Sequence, residues 1–323
     1  MLSVYVKRGS VLERVSLEPG VPPPDSVVWI DMETPTPQED RLVQSLVGIA
    51  VPTREEMQEI EVSSRLYTEN GARYMTATLM CQSESPNPKT TPVTFILAGH
   101  RLVTVRYDAP RPFAMVEHKL GRMCPPHVTG ETVLMDLLDA VIDRSADILE
   151  RIGSEVDHLS RAIFEPERES DAPSYNEVLK ALGRKGDLTS KVRESLVSIG
   201  RLLLFLWTEA EGMRWAKDTR TQLQSMRRDT ASIADHATYL ASKITFLLDA
   251  MLGMVSIQQN DIIKIFSVAA VGLMPPTLIA SIYGMNFKHM PELDWRYGYP
   301  LVIMAMIASA VIPYLFFKWK KWL

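Results

Sequence analysis

The sequence is poor in cysteine and lacks the common motifs that bind zinc or nucleotides. Only two of its 323 residues are cysteine, Cys81 and Cys124, and they lie in unrelated contexts. They predict reduced thiols in a cytoplasmic domain and argue against a disulfide framework. No set of Cys and His residues has zinc spacing, and no glycine-rich phosphate loop precedes a predicted helix. We therefore expect no nucleotide among the partners.

The chain also lacks an excess of positive charge and a recognisable catalytic group. Its formal net charge is -4 at pH 7, so no global basic character favours nucleic acid as a partner. The acids Glu55, Glu56, Glu59 and Glu61 are close enough in sequence to suggest a carboxylate cluster. A solvated helix face is the better interpretation, because no partner histidine or aromatic pocket is evident nearby. The sequence predicts no enzyme site.

Two long apolar runs lie near the C-terminus. Ile265 to Tyr283 carries no charged side chain over about 19 residues, or roughly 28 Å of helix, which approaches the ~30 Å hydrocarbon core of a bilayer. Leu301 to Phe317 spans about 17 residues, at the short end of the spanning range. Buried core helices of a soluble protein are the alternative. The second run ends in Lys318-Trp319-Lys320-Lys321-Trp322, an aromatic and cationic collar typical of a membrane interface, so we predict two membrane spans.

The distribution of charge predicts the topology of these spans. Lys318, Lys320 and Lys321 are unopposed in the tail, whereas the loop between the spans carries balanced charges. The positive-inside rule therefore predicts a cytoplasmic tail, a cytoplasmic N-terminal part and an external loop. Met1 to Arg8 contain no long apolar core and no cleavage site, so we do not expect a signal peptide. The expected location is the inner (plasma) membrane.

Small and polar residues of the first span fall on one stripe with spacings of three and four. The stripe consists of Asn260, Ile263, Ser267, Ala270, Met274, Thr277, Ser281 and Gly284. The average spacing of about 3.5 residues places it on one face of a helix in a left-handed bundle. Such residues turn away from lipid, either to bind neighbouring helices together or to line an aqueous path. Two spans cannot enclose a pore, so the second interpretation, which we prefer, requires an oligomer.

The residues that follow the stripe carry a family resemblance. Tyr283-Gly284-Met285-Asn286-Phe287, followed by Met290-Pro291-Glu292-Leu293, resembles the signature of CorA, the magnesium and cobalt channel family. Gln259-Asn260, Tyr297-Gly298-Tyr299-Pro300 and the terminal Lys321-Trp322-Leu323 are similar to that family as well. The close match covers about the last 65 residues, and the rest of the chain resembles the family in layout and scattered positions.

The resemblance implies a homopentameric, passive uptake channel for divalent cations that the membrane potential drives. Mg²⁺ would be the transported and regulatory ion, with Co²⁺ as an alternative substrate and nickel as a further candidate. Asn286 side chains and the carbonyl groups of Gly284 and Met285 would form the selectivity filter, with Glu292 in the external loop. Neutral oxygens suit this role, because Mg²⁺ dehydrates reluctantly and its water shell needs hydrogen-bond acceptors. Ile263 and Met274 would form apolar constrictions that close the path.

Three rival functions remain at this point. A relative of the same fold that moves zinc, nickel or cobalt, with or without protons, carries a compatible Gly-Met-Asn motif. A two-span membrane scaffold or receptor without transport does not require polar residues confined to one stripe. A membrane-bound hydrolase needs a nucleophile or metal ligands, which the sequence does not offer.

The remaining chain predicts an α+β membrane protein. Short runs rich in β-branched and aromatic residues predict strands at Val27–Ile30, Arg73–Met80, Val93–Ala98 and Leu102–Val105, with a tight turn at Gly99-His100. Helical periodicity begins near Glu131 and returns in a second helix that runs to about Trp215. A third helix, without proline from Arg220 to Met274, should run for about 60 residues into the membrane. The predicted domains are a cytoplasmic α/β domain (1–128), an acidic helical hairpin (129–219), a stalk with the first span (220–284), an external loop (285–298) and the second span with a basic tail (299–323).

Regulation by internal divalent ions is implied by the resemblance, but the sequence departs from the family at a key position. The stalk position where the family can carry a regulatory aspartate falls at Ser225, and the loop from Gln82 to Pro92 offers only Glu84. The alternative ligands are Asp229, Asp235 and Asp249, of which the last two lie two heptads apart. A competing interpretation is that these aspartates only pair with Arg227, Arg228 or Lys243. The acids of the helical hairpin are either a solvated face or a negative funnel that gathers cations.

Overall fold

The fold combines one mixed β-sheet with long helices. The computed structural model describes residues 1–15, 26–164, 174–210, 212, 215–285, 290 and 295–320. The strands are β1 (Leu2–Arg8), β2 (Val11–Val15), β3 (Val27–Glu33), β4 (Leu66–Glu69), β5 (Ala72–Cys81), β6 (Lys89–Ala98) and β7 (Arg101–Arg106). The helices are α1 (Pro37–Val47), α2 (Arg54–Gln58), α3 (Val62–Arg65), α4 (Arg111–Arg122), α5 (Gly130–Phe164), α6 (Tyr175–Ala210), α7 (Lys217–Tyr283) and α8 (Gly298–Trp319).

The sheet has the strand order β2-β1-β3-β7-β6-β5-β4, and only β3 and β7 pair in parallel. The four strands predicted from composition are confirmed as β3, β5, β6 and β7. The predicted hairpin turn is confirmed too, since Ala98 pairs with Arg101 and Gly99 has a φ of 57°, which favours glycine. Strands β1, β2 and β4 were not predicted. The edge strands β2 and β4 bury few side chains, so the alternation of apolar and polar residues that identifies a strand is weak in them.

Each face of the sheet buries its own apolar core. Met75 and Leu79 of β5 lie in the core that includes side chains of α4, α5 and α6. Tyr74, on the opposite face of the same strand, packs in a second core with Val43 of α1 and Met57 of α2. Successive strand residues alternate between faces, which is why one strand serves both cores. The N-terminal part is therefore a layered α/β structure, as predicted.

The long helices follow the predicted periodicity closely. Helix α5 ends at Phe164, directly before the Glu-Pro-Glu sequence that predicted its end. Helix α6 ends at Ala210, earlier than the predicted Trp215. Helix α7 has 67 residues and continues through Pro275 and Pro276, so the predicted long helix is confirmed. A bend at the two prolines stays a prediction.

The chain divides into two compact units, Met1–Leu247 and Leu248–Leu323. Helix α7 begins in the first unit and ends in the second. The second unit contains both helical segments that are long and apolar enough to cross a membrane. No part of either apolar window is buried inside the chain. The alternative of buried core helices is therefore wrong for this chain, because a core helix hides its apolar surface within its own protein. The division into five domains stays a prediction.

Candidate functional site

The stripe lies on the membrane segment of α7. Its residues from Asn260 to Ser281 all belong to this one helix, and Gly284 directly follows its end. Most stripe side chains are exposed in the single chain, including Ile263 at 61% and Met274 at 68%. The stripe thus presents a face that α7 does not cover with other parts of its own chain. Such a face is available to water or to another subunit.

A concave surface of about 640 Å³ occupies the C-terminal half of this stripe. It is lined by Ala270, Leu273, Met274, Pro275, Thr277, Leu278 and Ser281, of which four are stripe residues. Most of the lining is apolar, so Thr277 and Ser281 supply its side-chain oxygens. An apolar surface with a few oxygens can let a hydrated cation pass without holding it tightly.

The Thr277 hydroxyl is oriented by the helix itself. Its Oγ1 donates to the carbonyl oxygen of Leu273 at 2.6 Å. Because the hydroxyl hydrogen is used inside the helix, the lone pairs of Oγ1 remain available as acceptors. The water shell of a cation points its hydrogens outward and therefore needs acceptors of this kind. The Thr277 hydroxyl is therefore an acceptor whose direction its own helix fixes.

Hydrogen bonds to the last turn of α7 fix the positions of Gly284 and Met285, the first two residues of the Gly-Met-Asn motif. The Gly284 amide donates to the Ala280 carbonyl oxygen at 2.9 Å, and the Met285 amide donates to the Ile282 carbonyl oxygen at 3.3 Å. A Cβ atom at position 284 would lie 3.0 Å from the Ala280 carbonyl oxygen, so glycine permits this tight turn. The other two predicted residues, Asn286 and Glu292, lie outside the described residues.

The three stalk aspartates are all exposed on α7. Asp229 accepts a hydrogen bond from Ser225 Oγ at 3.3 Å. Two of the basic residues that could pair with these aspartates have other partners. Lys243 pairs with Asp157, and Arg227 stacks on Trp207 at 5.3 Å. Simple pairing with these two residues is therefore not observed. Within the described ranges no set of three or more His, Cys, Asp or Glu side chains could hold a metal ion.

The acidic face of α5 contains a carboxyl group with a raised pKa. Burial raises the pKa of Asp139, and the neighbouring carboxylate of Asp143 adds to the rise. Asp136 and Asp229 contribute in the same direction. Lys119, which pairs with Asp136 at 2.9 Å, opposes the rise. The negative funnel stays a prediction.

Glu84 is a group whose environment the sequence did not predict. Its carboxylate accepts from Arg144 at 2.6 Å and from Arg111 at 2.8 Å, and Arg151 lies 3.7 Å away. The hydrogen bond from Arg144 and the charges of the three arginines lower the pKa of Glu84. Because three guanidinium groups already neutralise this carboxylate, it is a poor ligand for a divalent cation. These residues are distant in sequence, and no local pattern connects them.

Comparisons with known proteins agree with this arrangement. The family model described as "CorA-like Mg2+ transporter protein" matches residues 24–320. The "Magnesium transport protein CorA" of Escherichia coli strain K12 is 35% identical over 323 residues, 100% of both chains. The complete structure of the CorA magnesium transporter from Methanocaldococcus jannaschii matches with a TM-score of 0.81 at 19% identity, over 100% of this chain and 99% of that chain. The full-length CmaX protein matches with a TM-score of 0.73 at 13% identity, over 100% and 98%. The two structural matches show the fold alone, and they confirm the predicted fold class.

Proposed function

Because this chain belongs to the CorA-like Mg²⁺ transporter family, we propose that it is a passive channel for divalent-cation uptake, chiefly of magnesium and also of cobalt. The family consists of transporters, so the chain is not an enzyme. The observation that carries the proposal is that every Ser and Thr between Ile262 and Gly284, in the apolar segment of α7, lies on one stripe. A scaffold without transport would not need that confinement.

The pore is formed by several subunits. One chain contributes two candidate spans, which cannot enclose an aqueous path. Five copies of the α7 stripe around one axis, as the resemblance implies, form a continuous lining. In this homopentamer Asn260, Thr277 and Ser281 form polar rings, whereas Ile263 and Met274 form apolar ones. The subunits lie in the inner membrane with both termini in the cytoplasm, as the cationic tail requires.

The filter selects the ion in its hydrated form. Mg²⁺ holds its water tightly, so neutral oxygen acceptors are better suited than carboxylates that would strip the shell. Asn286 side chains with the carbonyl groups of Gly284 and Met285 provide such acceptors at the outer mouth, and Glu292 in the external loop attracts cations to it. A divalent ion gains about 4.6 kcal/mol per ~100 mV of membrane potential, twice the single-charge value, which is sufficient to drive uptake.

Uptake into liposomes that contain the purified protein tests this function. Magnesium, cobalt, nickel and zinc are compared under an inside-negative potential, with and without a proton gradient. We expect magnesium uptake that increases with the potential and does not respond to the proton gradient. Preferential zinc uptake that requires a proton gradient would establish the rival function instead.

Met274 is predicted to form part of the closed constriction. Replacing Met274 by serine places a hydroxyl where the stripe lacks oxygen, so the narrow apolar segment should wet more easily. We expect the leak at high internal magnesium to rise by on the order of tenfold, equivalent to ~1.4 kcal/mol. Met304→Ser on α8 is a matched control, since Met304 is 67% exposed and Met274 is 68% exposed. An unchanged closed-state leak in Met274→Ser would contradict this role.

Asp235 and Asp249 are predicted to sense internal magnesium. Carboxylates from neighbouring subunits repel one another, and a bound cation removes that repulsion. Protease protection of the soluble unit, titrated with magnesium, should therefore shift to higher concentration in the double variant Asp235→Asn, Asp249→Asn, by about tenfold. Asp218→Asn in the first turn of α7 is the control. A midpoint equal to that of the wild type would show that these residues are not the sensor.

A further inference from the structure

A charged pocket of about 430 Å³ lies between the loop after β5 and the neighbouring helices α5 and α6. The loop contributes residues from Ser83 to Pro88. Helix α5 contributes Arg151 and Glu155, and α6 contributes Arg184 and its neighbours up to Leu188. All these residues belong to the first compact unit, so the pocket does not depend on the membrane segments.

The pocket and its border carry a local excess of positive charge in an acidic protein. The lining of the pocket itself is balanced, with Arg151, Arg184 and Lys185 against Glu84, Glu155 and Asp187. The excess comes from Arg111 and Arg144, which line a neighbouring cavity that shares Ser83 and Glu84, and from Lys191, which borders the pocket beside Asp187. Lys185 pairs with Glu155, and Lys191 pairs with Asp187 at 2.7 Å. Arg184 has no carboxylate partner among the residues that the structure describes; its Nε donates to the Lys180 carbonyl oxygen at 3.4 Å.

Oxygen atoms of the loop accept hydrogen bonds from several of these cations. Glu84 accepts from Arg144 and Arg111, as described above, although its side chain is 55% exposed. The Lys191 ammonium group donates to the Pro88 carbonyl oxygen at 2.8 Å, and Arg144 donates to Ser83 Oγ at 3.3 Å. Glu84 is thus the one carboxylate shared by three arginines, and Arg184 has no carboxylate partner among the described residues, so this group of cations can bind more negative charge.

We propose that this pocket binds a small soluble polyphosphate anion, and that Glu84 competes with it for the arginines. Guanidinium groups match phosphate oxygens in a bidentate geometry, and several of them converge here. Arg184 supplies a cation that no carboxylate of the described residues neutralises. When the anion binds, the Glu84 carboxylate turns to solvent, which its exposed position permits.

The lining restricts the class of anion. None of the described lining residues is aromatic, so they offer no ring on which a nucleobase could stack. Leu188 and two prolines supply most of its apolar side-chain surface, which is too little for an acyl chain. Phosphate groups are thus the recognised part of the ligand. An inositol phospholipid headgroup shares this chemistry, so the experiment must separate the two sources.

The test is isothermal titration of the full-length protein in detergent with sodium tripolyphosphate, in buffer without magnesium. We expect saturable binding by the wild type. Glu84→Gln removes the competing charge, so affinity should rise about fivefold, and Glu84→Ala should act in the same direction. Arg184→Gln should lower affinity about fivefold. Arg122→Gln, on the exposed face of α4 and outside the pocket lining, is the matched control and should bind like the wild type.

Several results would overturn the proposal. Equal affinity for Glu84→Gln and wild type would show that Glu84 does not compete. An affinity of Arg184→Gln equal to that of Arg122→Gln would show that the anion binds elsewhere. In a second arm, detergent micelles that contain phosphatidylinositol bisphosphate replace tripolyphosphate. If the protein bound these micelles but not tripolyphosphate, the pocket would be a lipid site, and the proposal of a soluble ligand would be wrong.

Discussion

Replacing Asn286 by alanine is expected to abolish selective magnesium uptake while leaving the protein assembled. The motif that contains Asn286 directly follows the end of α7, where the Gly284 amide still donates to the Ala280 carbonyl oxygen. Each subunit of the proposed pentamer loses one amide that accepts hydrogen bonds from the ion's water shell. A hydrogen bond to a charged group contributes about 1.5–3 kcal/mol, so the uptake rate should fall at least about tenfold. Uptake by liposomes with magnesium, cobalt and nickel measures both rate and preference.

Two further variants distinguish this role from a general loss of function. Asn286→Gln keeps the amide and should retain part of the uptake. Gln259→Ala removes an amide from α7 at a position next to the stripe, and it should transport like the wild type. Wild-type uptake and ion preference in Asn286→Ala would contradict the proposed filter.

Replacing Arg106 by methionine is expected to produce the largest loss of stability in the first unit. Arg106 Nη2 donates to Asp31 Oδ2 and to Glu33 Oε2, both at 2.9 Å. Asp31 also accepts from Thr104 Oγ1 at 2.7 Å, and that hydroxyl accepts from Trp29 Nε1 at 3.0 Å. The side chains of Arg106 and Asp31 are only 9% and 6% exposed. The network ties the two parallel strands β3 and β7 together.

Removal of Arg106 leaves the Asp31 carboxylate buried without its counter-charge, which costs about 3–5 kcal/mol. We expect the Tm, measured by circular dichroism of the full chain in detergent, to fall by on the order of 10 °C. Arg8→Met breaks the exposed pair of Arg8 with Glu13 and should change Tm little, because exposed pairs contribute about 0–1 kcal/mol. The double variant Arg106→Met, Asp31→Leu should recover part of the loss. If Arg106→Met lowered the Tm no more than Arg8→Met does, this account would be refuted.

The membrane segments and the stripe follow from amino-acid order alone. Hydropathy over a span and a spacing of three and four residues are local properties, and they survive in whatever tertiary structure forms. The same reasoning predicted the ends of α5 and the length of α7. The motif from Tyr283 to Leu293 is also contiguous, so the family could be recognised without coordinates.

The surroundings of individual charges depend on tertiary packing. Arg106 and Asp31 are 75 positions apart, and they meet only because β3 and β7 pair in parallel with Thr104 opposite Asp31. Glu84 and Arg144 are 60 positions apart, so no helical or strand period relates them. The sequence therefore identified Glu84 only as the one acid of its loop, whereas the folded chain surrounds it with arginines. Local patterns predict which faces are apolar, but the partner of a charge is decided by strand register and helix packing, because these bring distant residues within hydrogen-bond range.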